Sequence, residues 1–160
     1  MRELPYNRTA AVNYARRWAL SRNPAYYNFE NIGGDCTNFA SQCIYAGSGI
    51  MNYKHILGWY YNSSYDRTPS WSSVEYLYDF LVSNKGVGPY ARVVPAEEAL
   101  PGDIVQLGTA DESFYHSPVI TAVTPTILVA THSYDVLDRP LSTYTYDQAR
   151  FLHIEGVRTW

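Results

Sequence analysis

The first part of the chain carries helical periodicity. Ala11, Tyr14, Ala15 and Trp18 recur at three- and four-residue intervals, which predicts a helix over residues 8 to 22, with Pro24 marking its end. Residues 24 to 34 are rich in Tyr, Asn and Gly and read as a loop. A second helix is predicted from about Cys36 to Tyr45, burying Phe39, Ala40 and Cys43, and Gly47 to Gly49 stop it. Residues 49 to 70 hold Trp59, Tyr60, Tyr61 and Tyr65 without a period. An irregular excursion of that length in a small domain points to function. A third helix is predicted from Ser72 to about Asn84, with a capping box from Ser72 to Glu75, a staple between Trp71 and Tyr76, and Gly86 at its end.

After this the periodicity changes. Pro101-Gly102-Asp103 turns the chain into a strand over 104 to 107, and residues 115 to 123, 126 to 133 and 151 to 158 read as three more short strands rich in β-branched residues. Helices first and strands later, with short connections, predict an α+β domain with a small antiparallel sheet.

Composition narrows the function classes. The 160 residues fit one domain with a real core, and 46% hydrophobic against 17% charged residues exclude a disordered chain. A net charge of −3 with no Lys/Arg cluster argues against nucleic acid as a partner. No apolar run is long enough to span a bilayer, so no membrane partner is expected. Residues 1 to 23 carry Arg8, Arg16 and Arg17 and lack an apolar core, so no signal peptide is expected. Sixteen tyrosines and four tryptophans suit a groove for sugars or peptides, or a core whose hydroxyls reach the surface.

Candidate chemistry begins at Cys36. A glycine pair breaks the preceding structure, Asp35 is a good N-cap, and Cys36 takes the first helical position. Unpaired N–H groups and the helix dipole there favour thiolate, the nucleophilic form. The two readings at this point are a catalytic nucleophile and a buried structural cysteine. A disulfide with Cys43 is excluded on a shared helix, where seven residues span roughly 10 Å. Cys43 reads as core.

A cysteine nucleophile needs a base, and His116 and His132 lie on adjacent predicted strands. Pairing centred on Thr124 sets them opposite one another on one face, with Cβ atoms about 5 Å apart. A two-residue Thr124-Pro125 turn sets them on opposite faces. His55 and His153 read as structural. With no third ligand at metal-like spacing, no metal or other cofactor is assigned.

The run Gly-Gly-Asp-Cys-Thr-Asn-Phe-Ala-Ser-Gln-Cys, with Trp59-Tyr60-Tyr61, Ser70-Trp71, Pro101-Gly102-Asp103-Ile104 and the His116 strand, resembles the putative amidase domain family (amidase type 6). That family is similar to the NlpC-like and CHAP cell-wall hydrolases, so the resemblance implies a papain-like α+β fold over residues 1 to 160. It implies Cys36 as nucleophile, His116 as base and His132 as the third residue that orients His116, with Asp135 and Asp138 as competitors for that place. Tyr27, Asn31, Asp35, Trp59 and Trp71 are the candidate substrate-binding residues, and the Cys36 N–H with Asn31 or Tyr27 the candidate oxyanion hole.

The implied substrate is bacterial peptidoglycan, cut at the muramoyl–L-alanine amide or in the stem peptide or cross-bridge. The expected setting is the bacterial cell wall, reached as a phage endolysin domain or a module of a secreted protein. The domain is expected to be monomeric and targeted by a separate wall-binding domain. A non-catalytic wall-binding module and an acyltransferase are the alternatives on the same fold.

Overall fold

A computed structural model describes residues 1–111 and 113–160. After a short strand β1 (Arg2–Leu4), Asn7 caps helix α1 (Arg8–Trp18), its side chain accepting the Ala10 N–H at 3.0 Å. The helix stops four residues short of the predicted end. Its last carbonyls are drawn to other partners, among them His132, which takes the oxygen of Trp18.

Helix α2 (Cys36–Ser48) is the centre of the domain, with ten of its thirteen residues buried. Tyr6 and the Asn7 carbonyl press against Gly47, where an added Cβ would lie 2.5 Å from the Tyr6 ring and 2.8 Å from the Asn7 oxygen. Gly49 then ends the helix in the left-handed region at φ 68°. Because the helix is buried all round, its polar residues must find partners inside. Trp71 Nε1 donates to Asn38 Oδ1 at 3.0 Å, Trp59 Nε1 donates to Ser41 Oγ at 3.1 Å, and Tyr14 donates to Gln42 Oε1 at 2.5 Å.

A small hairpin follows, β2 (Tyr61–Ser63) with β3 (Asp66–Arg67). The predicted third helix is two helices, α3 (Pro69–Ser72) and α4 (Val74–Ser83), parted by extended backbone at Ser73. Neither the capping box nor the staple forms. Ser73 has replaced Ser72 at the cap, Trp71 is fully buried, and Tyr76 is exposed.

The remaining strands are β4 (Gly88–Val94), β5 (Ile104–Gly108), β6 (Phe114–His116), β7 (Val119–Ala122), β8 (Leu128–Thr131), β9 (Val136–Pro140) and β10 (Gln148–Thr159). They form one antiparallel eight-stranded sheet in the order β1-β10-β5-β7-β8-β9, with β4 also on β10 and β6 also on β5. The predicted α+β class with an antiparallel sheet is what is found. The sheet is larger than the four strands expected, because β1, β4 and β9 gave no clear alternation and the strand predicted over 115 to 123 is two, β6 and β7, parted at Ser117-Pro118. Both faces are covered. One packs on the helices through Ile104, Val119, Ala130 and Leu152, and the other carries a second core of Val105, Leu107, Ile120, Val129 and Phe151.

The first core is aromatic. Trp59 and Trp71 lie 4.8 Å apart between ring centroids and both are fully buried. We expect Trp71→Ala to cost about 3–5 kcal/mol of stability, the range for emptying a large aromatic site. Trp71→Phe should cost less, about 1–3 kcal/mol, chiefly from leaving Asn38 Oδ1 unpaired. Urea unfolding followed by circular dichroism checks both, and an exposed, ligand-facing Trp71 would show neither loss.

Candidate active site

Cys36 sits where the sequence placed it, as the first residue of α2, and it is buried with 8% of its surface exposed. Its immediate surroundings come from α2 and from the segment after β6. Thr37 Oγ1 lies 3.7 Å from the sulfur, and the same hydroxyl donates to Ser117 Oγ at 3.3 Å. Gln106 Nε2 donates to Ser117 Oγ at 3.1 Å and to the Val74 carbonyl at 3.0 Å. Burial pushes the Cys36 thiol above its ordinary value of 9.0, and the Asp35 carboxylate adds to that. The Thr37 hydroxyl and the Ser117 and Thr37 backbone N–H groups pull it back only in part. The helix start therefore holds a neutral thiol at rest. The thiolate expected from the dipole is outweighed by desolvation.

The residue before it is locked. Asp35 is fully buried and does not cap the helix through its side chain. Oδ1 accepts from the Phe29 N–H at 2.8 Å and from Asn38 Nδ2 at 2.9 Å, while Oδ2 lies 2.5 Å from His132 Nδ1. His132 Nε2 donates to the Trp18 carbonyl at 2.8 Å, and the ring stacks on Phe39 at 4.0 Å. A carbonyl only accepts, so Nε2 carries a proton and the ring shares a second with Asp35 through Nδ1. Arg22 Nε stands 3.7 Å from Asp35 Oδ2, while Nη1 and Nη2 of the same guanidinium donate to Asp135 at 2.8 and 3.0 Å.

This arrangement corrects the expected division of labour between the histidines. Strands β7 and β8 pair Val119 with Ala130 and Ile120 with Val129. That register puts His132 on the face of Ser117 and leaves His116 on the other. His116 pairs with Leu107, a residue of the second core, and its ring lies 5.9 Å from Tyr144. His132 has both nitrogens engaged and cannot orient His116. Asp135 is spent on Arg22, and Asp138 on Thr121 at 2.7 Å and on Arg16. Burial, then the Arg139 charge, lowers His116 from 6.5 to about 4.

A cleft of about 400 Å³ opens at the start of α2. Cys36, Thr37, Gly33 and Gly34 line one part of it, and Arg67, Ser73, Glu75 and Tyr115 another. Gly33 and Gly34 have φ of 80° and 96°, which carries the chain tightly round into the helix. Of the predicted substrate-binding residues, Asp35, Trp59 and Trp71 are fully buried in the structure's interior and are not groove residues. Their partners are internal, since a buried carboxylate or indole N–H has to be satisfied there. Tyr27 is exposed, but its N–H donates to Tyr61 and its carbonyl accepts from Asn38, so it is no oxyanion donor. Asn31 is exposed and, like Tyr27, does not line the cleft. The residues that sequence reasoning missed are Ser117, Gln106 and Arg67. Ser117 follows His116 directly, and the Val119–Ala130 register alone distinguishes which of the two turns toward Cys36.

The fold and the site define an α+β domain with a cleft at the cysteine-bearing end of its central helix. Residues 5–155 match the family described as "putative amidase domain", and the chain belongs to that family, which is named for amide-bond hydrolysis. Among curated proteins, the Bacillus subtilis (strain 168) protein YhbB, described as uncharacterized, is 35% identical over 124 residues. The match covers 76% of this chain and 39% of YhbB. No solved structure matches the chain.

Removing one partner of the buried Asp35–His132 pair should cost about 3–5 kcal/mol, because it leaves the other partner uncompensated. Asp35 is held below its ordinary 3.8, its burial being outweighed by the bonds from His132, Asn38 and Phe29. The unfolded chain therefore takes up that proton first as the pH falls. The Asp35 contribution is present above about pH 4 and is lost as the pH drops through the lower folded value. Urea midpoints measured from pH 7 to pH 2 should fall along that limb, and in Asp35→Asn the fall should be shallower.

Proposed function

We propose that this domain is a papain-like cysteine hydrolase that cuts an amide bond of bacterial peptidoglycan, with Cys36 as the nucleophile. The observation that carries the reading is the sulfur at the first turn of α2, lining a cleft walled by a glycine pair. In this reading the thiolate attacks the amide carbonyl, and the free N–H groups at the start of α2 receive the developing oxyanion. The amine departs with a proton, and water releases the acyl group from the thioester.

The proton acceptor is the demanding part. His116 is uncharged at neutral pH and lies one residue from Ser117, whose N–H reaches the sulfur. Its ring faces the second core in this conformation, so acting as base requires the Tyr115–Ser117 segment to turn over. His116 ends β6 where it pairs with Leu107 of β5, so turning the segment over breaks that pairing, and Pro118 and the gap between β6 and β7 confine the break to the end of the strand. One observation favours a non-catalytic peptidoglycan-binding module instead. Among the described residues no histidine is hydrogen-bonded to Cys36.

Cys36→Ala should abolish release of soluble fragments from purified peptidoglycan, and Cys43→Ala, two turns on and fully buried, should leave most of it. Full activity in a folded Cys36→Ala protein would sink the cysteine reading. His116→Ala should cost several orders of magnitude, as for members of a catalytic unit, and unchanged turnover would remove it as base. Activity should persist in EDTA and fall with iodoacetamide.

The pH profile separates two forms of the pair. With the thiol raised and His116 lowered, both stay neutral from about pH 4 up to the thiol's value. kcat/KM should then climb steadily above pH 8 as thiolate forms. A plateau between pH 5 and 8 would instead require a preformed thiolate–imidazolium pair.

A further inference from the structure

The cleft beside Cys36 contains a cation that no carboxylate among the described residues neutralises. Arg8, Arg16, Arg22, Arg92, Arg150 and Arg158 each face a carboxylate. Arg67 faces none among the described residues, although it is half-buried and lines the cleft. It is also held firmly. Its guanidinium stacks over the Phe29 ring at 4.3 Å, Nε donates to Ser72 Oγ at 3.0 Å, and one terminal nitrogen donates to the Ser64 carbonyl. The other, Nη2, has no hydrogen-bond partner among the described residues. An arginine pinned at its stem and on one face, with donor capacity left over, is prepared to receive a planar anion at little ordering cost.

The same contacts tie Arg67 to the nucleophile. Phe29, beneath the guanidinium, donates its N–H to Asp35, the residue before Cys36. Phe29 and Arg67 line the cleft together with Cys36 and Gly34. The other charged residue of the lining, Glu75, is already paired with Arg150 at 3.0 Å. Among the described residues the cleft therefore presents one unbalanced positive charge. Its volume of about 400 Å³ is in the range of sites for small ligands, enough for a short stretch of peptide.

On the cysteine-hydrolase reading above, we propose that Arg67 is the residue that selects substrate, binding a free carboxylate on a peptide within a residue or two of the amide that Cys36 attacks. The substrate class is thus an acidic peptide, and a chain whose nearby carboxylate is amidated is a poor one. A carboxylate replaces the solvent around Nη2 with a charge-assisted bond, for which a carboxamide offers only a neutral oxygen.

The test separates recognition from chemistry by using the full chain carrying Cys36→Ala. Its affinity is measured by calorimetry for the synthetic peptide L-Ala-γ-D-Glu-L-Lys-D-Ala and for the same peptide with the glutamyl α-carboxylate and the C-terminal carboxylate converted to carboxamides. The acidic peptide should bind about tenfold or more tightly than its diamide, and high salt should narrow the gap. Adding Arg67→Gln should erase the preference, while Arg67→Lys, which keeps the charge and loses the fork, should keep a part of it. Circular dichroism confirms that each variant folds.

Equal affinity for both peptides, or a preference that survives Arg67→Gln, overturns the proposal, and so does failure of both peptides to bind. Cleavage of purified peptidoglycan by the wild-type chain is measured alongside. If it proceeds while the preference is absent, only the role of Arg67 falls. If it is absent too, the hydrolase reading falls with it.

Discussion

The structure depends on a buried ion pair. Asp35 and His132 meet at 2.5 Å inside the domain, one from the residue before α2 and the other from just beyond β8. Each has further obligations: Asp35 to Phe29 and Asn38, His132 to the carbonyl at the end of α1. Four separate stretches of chain are thereby fastened around one carboxylate. Charges taken out of water this far are stabilising only when they are well partnered, and Asp35 has His132 on one oxygen and Phe29 and Asn38 on the other, with the Arg22 charge 3.7 Å away. The exit of α1, the loop over residues 23–34, the entry to α2 and the end of β8 are consequently fixed relative to one another.

Cys36 inherits that order. Its position is set by a neighbour fixed on every side, its contacts come from the Thr37 hydroxyl and the Ser117 N–H, and its reactivity is set by burial against the local N–H groups. The aromatic residues serve the same helix from below. Trp59 and Trp71 hold Ser41 and Asn38 in place, so the polar half of the Thr-Asn-Phe-Ala-Ser-Gln run is structural. The run joins a reactive first residue to a polar scaffold that lets the helix sit in the core.

Local pattern revealed the two helices around Cys36, the late antiparallel strands, and the thiol at a helix start. These are properties of near neighbours in sequence. What escaped it depends on distant pairing. Asp35 and His132 are ninety-seven positions apart, and nothing in either neighbourhood marks them as partners. His116 and His132 are separated by an even number, and a shift of one in the β7–β8 register moves one of them to the opposite face. The wealth of aromatic residues near Trp59 suits a groove as well as the commoner core filling, and burial alone distinguishes them. Arg67 stands in a short hairpin without motif, and only the structure shows that no carboxylate among the described residues faces it.

The long strand β10 has a consequence for how the chain acquires this shape. It is the last strand in sequence, yet it borders β1, β4 and β5 at once, reaching from Gln148 to Thr159. Until those residues are available, the first strand has no neighbour, and β4 and β5 lack the strand that joins them. A growing chain can therefore assemble its helices early, but it must hold a sheet in waiting. The pairing of residue 4 with residue 157 is among the longest-range contacts of the sheet, so docking β10 carries a large loop-closure cost, of the kind that slows folding.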